Sequence, residues 1–210
     1  MLPGQFIPLF ERNGFIVRLD EYVWERACQL LRNWLDRGQE AVPLSINVSR
    51  VHVYNPTFAG RLINITDKYK IPRQLIDLEL TESAFVENPE ELFRMMMNLR
   101  KEGFRVSMDD FGAGYSSLNM LKNAQVDTIK LDRGFLSESA STEKGRIVVQ
   151  YAINLAKELN LDVVAEGVET KEQMEFLLKA GCTAAQGFYF SKAAPAEQFE
   201  TMLLESQNRK

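Results

Sequence analysis

The sequence predicts an α/β fold, a TIM-like (β/α)8 barrel in which about six of the eight strands are present. Three observations lead there. Strand-like and helix-like segments alternate along the whole chain, polar residues stand within or at the ends of apolar strands, and the strands number six. Alternation implies parallel strands joined by right-handed crossovers, which suits either a doubly wound sheet or a closed barrel. A doubly wound sheet gathers its ligands at one crevice, whereas a barrel collects them from many strand ends on one rim. Asn47, Glu79, Asp109, Asp110, Lys130, Glu166 and Gln186 are spread over all six strands, so the barrel fits better.

The predicted strands are 44–49, 75–81, 105–111, 128–132, 162–168 and 184–191. Two of them read as an apolar run closed by acids, Val106-Ser107-Met108-Asp109-Asp110 and Val163-Val164-Ala165-Glu166. Helical patterns fill the gaps at 21–37, 56–69, 89–101, a short stretch from Ser116, 144–159, 171–180 and 195–205. Asn55-Pro56 and Asn88-Pro89 each place a capping amide before proline at the first helical position, where the missing N–H costs nothing. Glu91 follows Asn88 by three, and Gln173 follows Thr170 by three, as capping boxes do. Gly103 and Gly181 stand where helices end in a left-handed residue. The stretch 1–16 contains no convincing pair of strands, so the expectation is one domain, 1–210, that begins partway through its barrel.

The chain has 210 residues, 45% hydrophobic and 26% charged, enough for one domain with a sizeable core. Its net charge of −4 argues against binding DNA or RNA polymers, which select basic surfaces. A phosphate-bearing ligand remains compatible where divalent ions neutralise the charge locally. Cys28 and Cys182 match no zinc spacing and read as buried free thiols. No secretory signal and no apolar run of about 20 residues is found, so the expected location is the cytoplasm. With His52 as the one histidine, histidine triads are excluded, and chemistry falls to carboxylates, amides and lysine.

Adjacent aspartates at a strand end, followed by a glycine loop, are costly unless a metal or donors neutralise them. Capping of a turn would explain a single Asp followed by glycine, but not Asp109 and Asp110 together with Glu79 and Glu166 on other strand ends. Carboxylates with an amide oxygen suit hard ions such as Mg²⁺ or Mn²⁺. Asp110-Phe111-Gly112 also spells a kinase motif, but neither a catalytic His-Arg-Asp loop nor a glycine-rich phosphate loop accompanies it.

Asn47-Val48-Ser49, Glu79-Leu80-Thr81-Glu82-Ser83, Asp109 to Ser117, Ile129-Lys130-Leu131-Asp132, Val164-Ala165-Glu166-Gly167-Val168-Glu169-Thr170 and Gln186-Gly187-Phe188 stand in an order that resembles the EAL domain family of cyclic di-GMP phosphodiesterases. Phe6-Ile7-Pro8-Leu9-Phe10-Glu11 is similar to the family's segment shortly after its Glu-Ala-Leu motif. The resemblance implies a site with two ions, Mg²⁺ or Mn²⁺, that hydrolyses cyclic di-GMP to linear pGpG. Asn47, Glu79 and Asp109 would hold one ion; Asp109 would bridge to a second held by Asp110 and Glu166. Two such ions lower the pKa of a shared water and stabilise both oxygens of an in-line displacement.

The resemblance further gives Lys130 the task of orienting or activating water and stabilising developing charge, and Gln186 and Glu169 that of positioning water and metal ligands. Glu169 also precedes a helix, where negative charge favours the dipole. Glu82 would anchor the glycine loop 111–117, against a simpler reading as a helix-entry acid. That loop would complete the site and support a homodimer. Phe190 is a weak candidate for flanking the guanine base, since Phe188-Tyr189-Phe190 and Met95-Met96-Met97 read first as core. Ala113 stands where the family often has threonine, and Ser191-Lys192-Ala193 lacks the usual proline.

No Glu-Ala-Leu triplet occurs in the 210 residues. The expectation is therefore a chain that is inactive or weakly active alone, since a lost ligand misplaces the nucleophile. The alternative is a catalytically inactive cyclic di-GMP receptor or protein-interaction module. The resemblance leaves room for GGDEF or sensory domains upstream.

Overall fold

The computed structural model describes residues 3–87, 89–113, 118–123, 125–140 and 142–207. The elements run α1 (Pro3–Asn13), α2 (Ile16–Asp36), β1 (Leu44–Asn47), α3 (Phe58–Lys68), β2 (Ile76–Thr81), α4 (Glu82–Glu87), α5 (Pro89–Lys101), β3 (Arg105–Phe111), α6 (Leu118–Asn123), β4 (Thr128–Leu131), α7 (Arg133–Ala140), α8 (Glu143–Glu158), β5 (Asp162–Ala165), α9 (Lys171–Ala180), β6 (Ala184–Ala185) and α10 (Ala196–Gln207). The six strands form one sheet in the order β1 to β6, every neighbouring pair parallel. The sheet curls into a half-barrel with helices on its convex side, as the alternation predicts.

The pleat sorts the side chains. Ile46, Leu78, Leu80, Val106, Met108, Ile129, Leu131, Val163 and Ala165 face the helices and are buried with Trp24, Leu31, Phe58, Leu92, Met96 and Ile153. Residues between them in sequence point to the concave side and are mostly polar. One core therefore lies between the sheet and its helices, and the concave side is left for chemistry.

Local signals act where expected, with some shifts. Thr170 and Gln173 form a complete capping box at α9, and Gly181 closes that helix at φ +77. Gly103 ends α5 at φ +96. The Asn55 carboxamide accepts the Thr57 N–H, and α3 starts at Phe58, two residues later than predicted. Asn88 lies outside the described residues, as do Gly114 to Ser117. Helix α2 begins at Ile16, and α1 fills the stretch in which no strand was expected.

The predicted strands 162–168 and 184–191 stop early, at Ala165 and Ala185. Beyond these ends the two segments stay linked by separate bonds, Gln186 N–H to Ala165 O at 2.8 Å, Val168 N–H to Gln186 O at 3.1 Å and Tyr189 N–H to Val168 O at 2.9 Å. Gly187 then passes so close to Val168 that a Cβ would lie 2.2 Å from its carbonyl oxygen, and the chain turns away. Phe188, Tyr189 and Phe190 consequently sit exposed in a turn and not in the core; of the run also read as core, Met96 is buried and Met95 partly buried, but Met97 faces out of α5 and is exposed. Short helices α4 and α7 interrupt stretches that carry no clear helical period. Cys28 is buried and Cys182 half-buried, both free. No helix among the described residues is long and apolar enough to cross a membrane.

Candidate active site on the carboxyl rim

The rim is built by register. Asn47 pairs with Glu79 and Thr81 with Asp109, while Lys130 pairs with Val164, two residues before Glu166. Because side chains two apart share a face, these polar groups rise on the same concave side at the carboxyl ends of the strands.

At the centre stands Lys130. Its ammonium lies 2.7 Å from Glu79 Oε1, 2.5 Å from Glu166 Oε1 and 3.4 Å from Asp109 Oδ1. The Gln186 amide donates to Glu166 Oε1 at 2.7 Å. Five sequence-predicted residues from β2, β3, β4 and the segments after β5 and β6 thus meet at one point. Burial opposes the lysine's charge, but Glu79, Glu166 and Asp109 outweigh it and raise its pKa well above the ordinary value. Asn47 lies beside Glu79 with its side chain exposed.

Asp110 is placed by a bulge. The β3–β4 register shifts between Met108 and Phe111, and Asp110 takes φ +57, a left-handed conformation that aspartate tolerates better than most residues. Its N–H donates to Asp109 Oδ1 at 3.0 Å, so both carboxylates stay near the rim. Burial, followed by repulsion from Asp109 and Asp132, raises the Asp110 pKa. Burial also raises that of Glu166, with Lys130 opposing. Glu82, at the start of α4, accepts the Gly112 N–H at 3.1 Å and so ties the glycine loop to β2.

Two predicted residues stand apart from this centre. Glu169 pairs with Arg133 at 2.7 Å on the exposed side, and Phe190 packs edge-on to Tyr189 in its turn. Sequence reasoning missed a second polar layer one pleat below. Asp77 accepts the Ser45 hydroxyl at 3.0 Å and the Ser107 hydroxyl at 2.7 Å, while Arg105 reaches Asp162 at 2.9 Å and Thr128 at 3.4 Å. The signal was present, since Ser45, Asp77, Ser107 and Thr128 each stand two residues before a predicted site residue. Asp132 was also passed over; its carboxylate accepts the Gly134 and Phe135 N–H groups and starts α7.

The donors fit hard cations in kind. Glu79, Asp109, Asp110 and Glu166 offer only oxygens, three of them within 3.4 Å of one ammonium, and burial first of all raises the pKa values of Asp110 and Glu166. As the side chains stand, no three acidic, His or Cys groups among the described residues form an ion cage, because Lys130 lies between them.

An EAL domain family model matches residues 1–193. The bifunctional diguanylate cyclase/cyclic di-GMP phosphodiesterase MucR of Pseudomonas aeruginosa is 37% identical over 196 residues, covering 93% of this chain and 29% of that protein. The cyclic di-GMP phosphodiesterase NbdA of the same organism is 34% identical over 201 residues, covering 96% of this chain and 26% of that protein. The chain thus spans under a third of these relatives' lengths. The solved PaMucR phosphodiesterase, in complex with c-di-GMP, superposes with a TM-score of 0.89 at 37% identity, over 95% of this chain and 81% of that one. The EAL domain of Mycobacterium smegmatis DcpA gives 0.82 at 37% identity, over 89% and 84%.

Proposed function

Because the chain belongs to the EAL domain family, we propose that its rim takes part in the metal-dependent hydrolysis of cyclic di-GMP to linear pGpG. One observation carries this reading: Glu79, Asp109 and Glu166 from separate segments converge within 3.4 Å of Lys130 Nζ.

The assignment of ligands follows the rim. Asn47, Glu79 and Asp109 would hold one divalent ion, Mg²⁺ or Mn²⁺; Asp109, Asp110 and Glu166 would hold a second. When bound, such a pair supplies Lewis acidity at the scissile phosphate and at the attacking water. Lys130, whose pKa Glu79, Glu166 and Asp109 raise against burial in the metal-free site, would be a positive donor facing charge that develops on phosphoryl oxygens. Gln186 orients Glu166 through its amide. Glu82 holds the Gly112 backbone and so sets where the loop begins. Glu169 acts through Arg133 and the entry to α9, and Phe190, exposed, is free to stack on a base. On this reading the 210 residues alone are expected to be inactive or weakly active, since no Glu-Ala-Leu glutamate stands among them. The same reading sets the domain in the cytoplasm, in a polypeptide with GGDEF or sensory domains, as a homodimer.

A second reading, a receptor without catalysis, is favoured by the Lys130 ammonium filling the space between the carboxylates. Calorimetry with cyclic di-GMP, with and without Mn²⁺, followed by an assay for linear dinucleotide, separates the two. Binding that requires Mn²⁺, with slow release of pGpG, supports the phosphodiesterase; metal-independent binding with no product supports the receptor. Absence of both binding and turnover sinks both.

A further inference from the structure

Helix α2 grips the rim from behind through side chains outside the proposed ligand set. The Trp24 indole N–H donates to the Asn47 backbone carbonyl at 3.1 Å. One turn earlier, Asp20 Oδ2 accepts the Ser49 N–H at 3.2 Å and the His52 Nε2–H at 2.9 Å. The His52 ring lies against Trp24 and Phe58, centroids 4.8 and 4.9 Å away. Trp24, His52 and Asp20 are 0%, 1% and 8% exposed. On its other side the same backbone is held by the sheet, with the Val48 N–H donating to Glu79 O at 2.9 Å. The peptides flanking the Asn47 side chain are thus fixed from two directions.

The histidine is informative because of what it leaves unmet. Its Nδ1 is buried with no hydrogen-bond partner among the described residues. A buried polar atom without a partner costs stability, and a phenylalanine ring would fill the same space without that cost. What only the histidine supplies is the N–H to Asp20. That donor in turn gives the buried Asp20 carboxylate, which holds Ser49, a second partner.

We propose that His52, Asp20 and Trp24 are positioning residues for the rim, fixing the Asn47–Ser49 backbone so that the Asn47 amide stands beside Glu79 for an ion. This rests on the rim being an ion site. Partners one step behind metal ligands typically change affinity by about 10- to 100-fold when removed.

Two readouts on the 210-residue chain decide it: hydrogen exchange of the Ser49 amide without metal, and Mn²⁺ affinity by calorimetry. His52→Leu removes the donor, and is expected to speed Ser49 exchange and weaken Mn²⁺ binding, each by about tenfold. His52→Gln, whose amide N–H can reach Asp20, is expected to bring both back to within about twofold of the parent. Trp24→Phe removes the donor to Asn47 while keeping a ring, and is expected to weaken Mn²⁺ by a similar factor; it carries the test where His52→Leu does not fold. A folded Leu or Phe variant with parental affinity, or a Gln variant no better than the Leu one, overturns the proposal. If the unsubstituted chain binds no Mn²⁺, the ion reading itself falls, and Ser49 exchange still decides whether the clamp exists.

Discussion

Two polar layers line the concave side of the sheet, one pleat apart, and they are built on opposite terms. In the lower layer each acid meets donors fixed by the fold: Asp77 takes two serine hydroxyls, and Asp162 takes the Arg105 guanidinium. In the upper layer Glu79, Asp109 and Glu166 share a single ammonium, with Asp110 crowded beside them. The lower layer is complete as it stands, and the upper one is short of positive charge. Acids matched to their own donors mark scaffold and acids that outnumber their cation mark chemistry, even where both come from the same strands.

Asp109→Asn makes the largest break in this contrast. It should lower Mn²⁺ affinity on the order of 100-fold or more while the fold is kept, measured by calorimetry alongside thermal melting. A loss below about threefold would remove the distinction between the layers. Next, saturating Mn²⁺ at about 100 times its Kd should stabilise the parent chain by about 2.7 kcal/mol and leave Asp109→Asn nearly unchanged. Asp77→Ala sharpens the contrast from the other side. By leaving the buried Ser107 hydroxyl without its acceptor it should cost about 1–3 kcal/mol in urea unfolding, with Mn²⁺ affinity within about twofold of the parent.

The smallest effect is a pH dependence. Asp110 and Glu166 have folded pKa values above their ordinary ones, so in the metal-free chain they bind protons that the unfolded chain does not. Their contribution to stability is complete below the ordinary carboxylate values of 3.8 and 4.5 and is lost as pH rises through the raised ones. The metal-free chain should therefore gain stability on mild acidification from neutral, before general acid effects take over. Lys130, also raised, is lost only at alkaline pH and does not enter this window. Asp110→Asn, which keeps a residue tolerant of the left-handed conformation, should flatten the gain by less than about 1 kcal/mol, since the site is partly solvated. Melting curves from pH 7 to about pH 5 test it.

Much of this contrast was legible in the sequence, and the part that was not has physical reasons. Alternation and apolar runs specify the parallel sheet, and Glu79, Asp109, Lys130, Glu166 and Gln186 announce themselves as polar groups at strand ends. The lower layer escaped because Ser45, Asp77 and Thr128 are ordinary strand residues until the register sets them side by side. Asp20 and His52, 32 residues apart, gave no local sign of meeting. The ends of β5 and β6 were overestimated because composition shows apolar residues but not the close approach at Gly187. Helix α4 was hidden by following β2 with no loop between.

The contact between α10 and α2 has a consequence in time. The Trp34 indole N–H and the Arg37 guanidinium both reach Glu200, and the Gln207 amide reaches the Glu40 carbonyl, bonds that join residues more than 160 positions apart. Helix α10 fully buries none of its own side chains, and the Phe199 ring, 6.1 Å from that of Trp34, adds an aromatic contact to these bonds. Contacts of such range carry a loop-closure cost, and an element so lightly buried belongs to the low-stability end of the molecule. The last helix is therefore expected to dock late and to let go early, so its amides should exchange faster than those of the sheet.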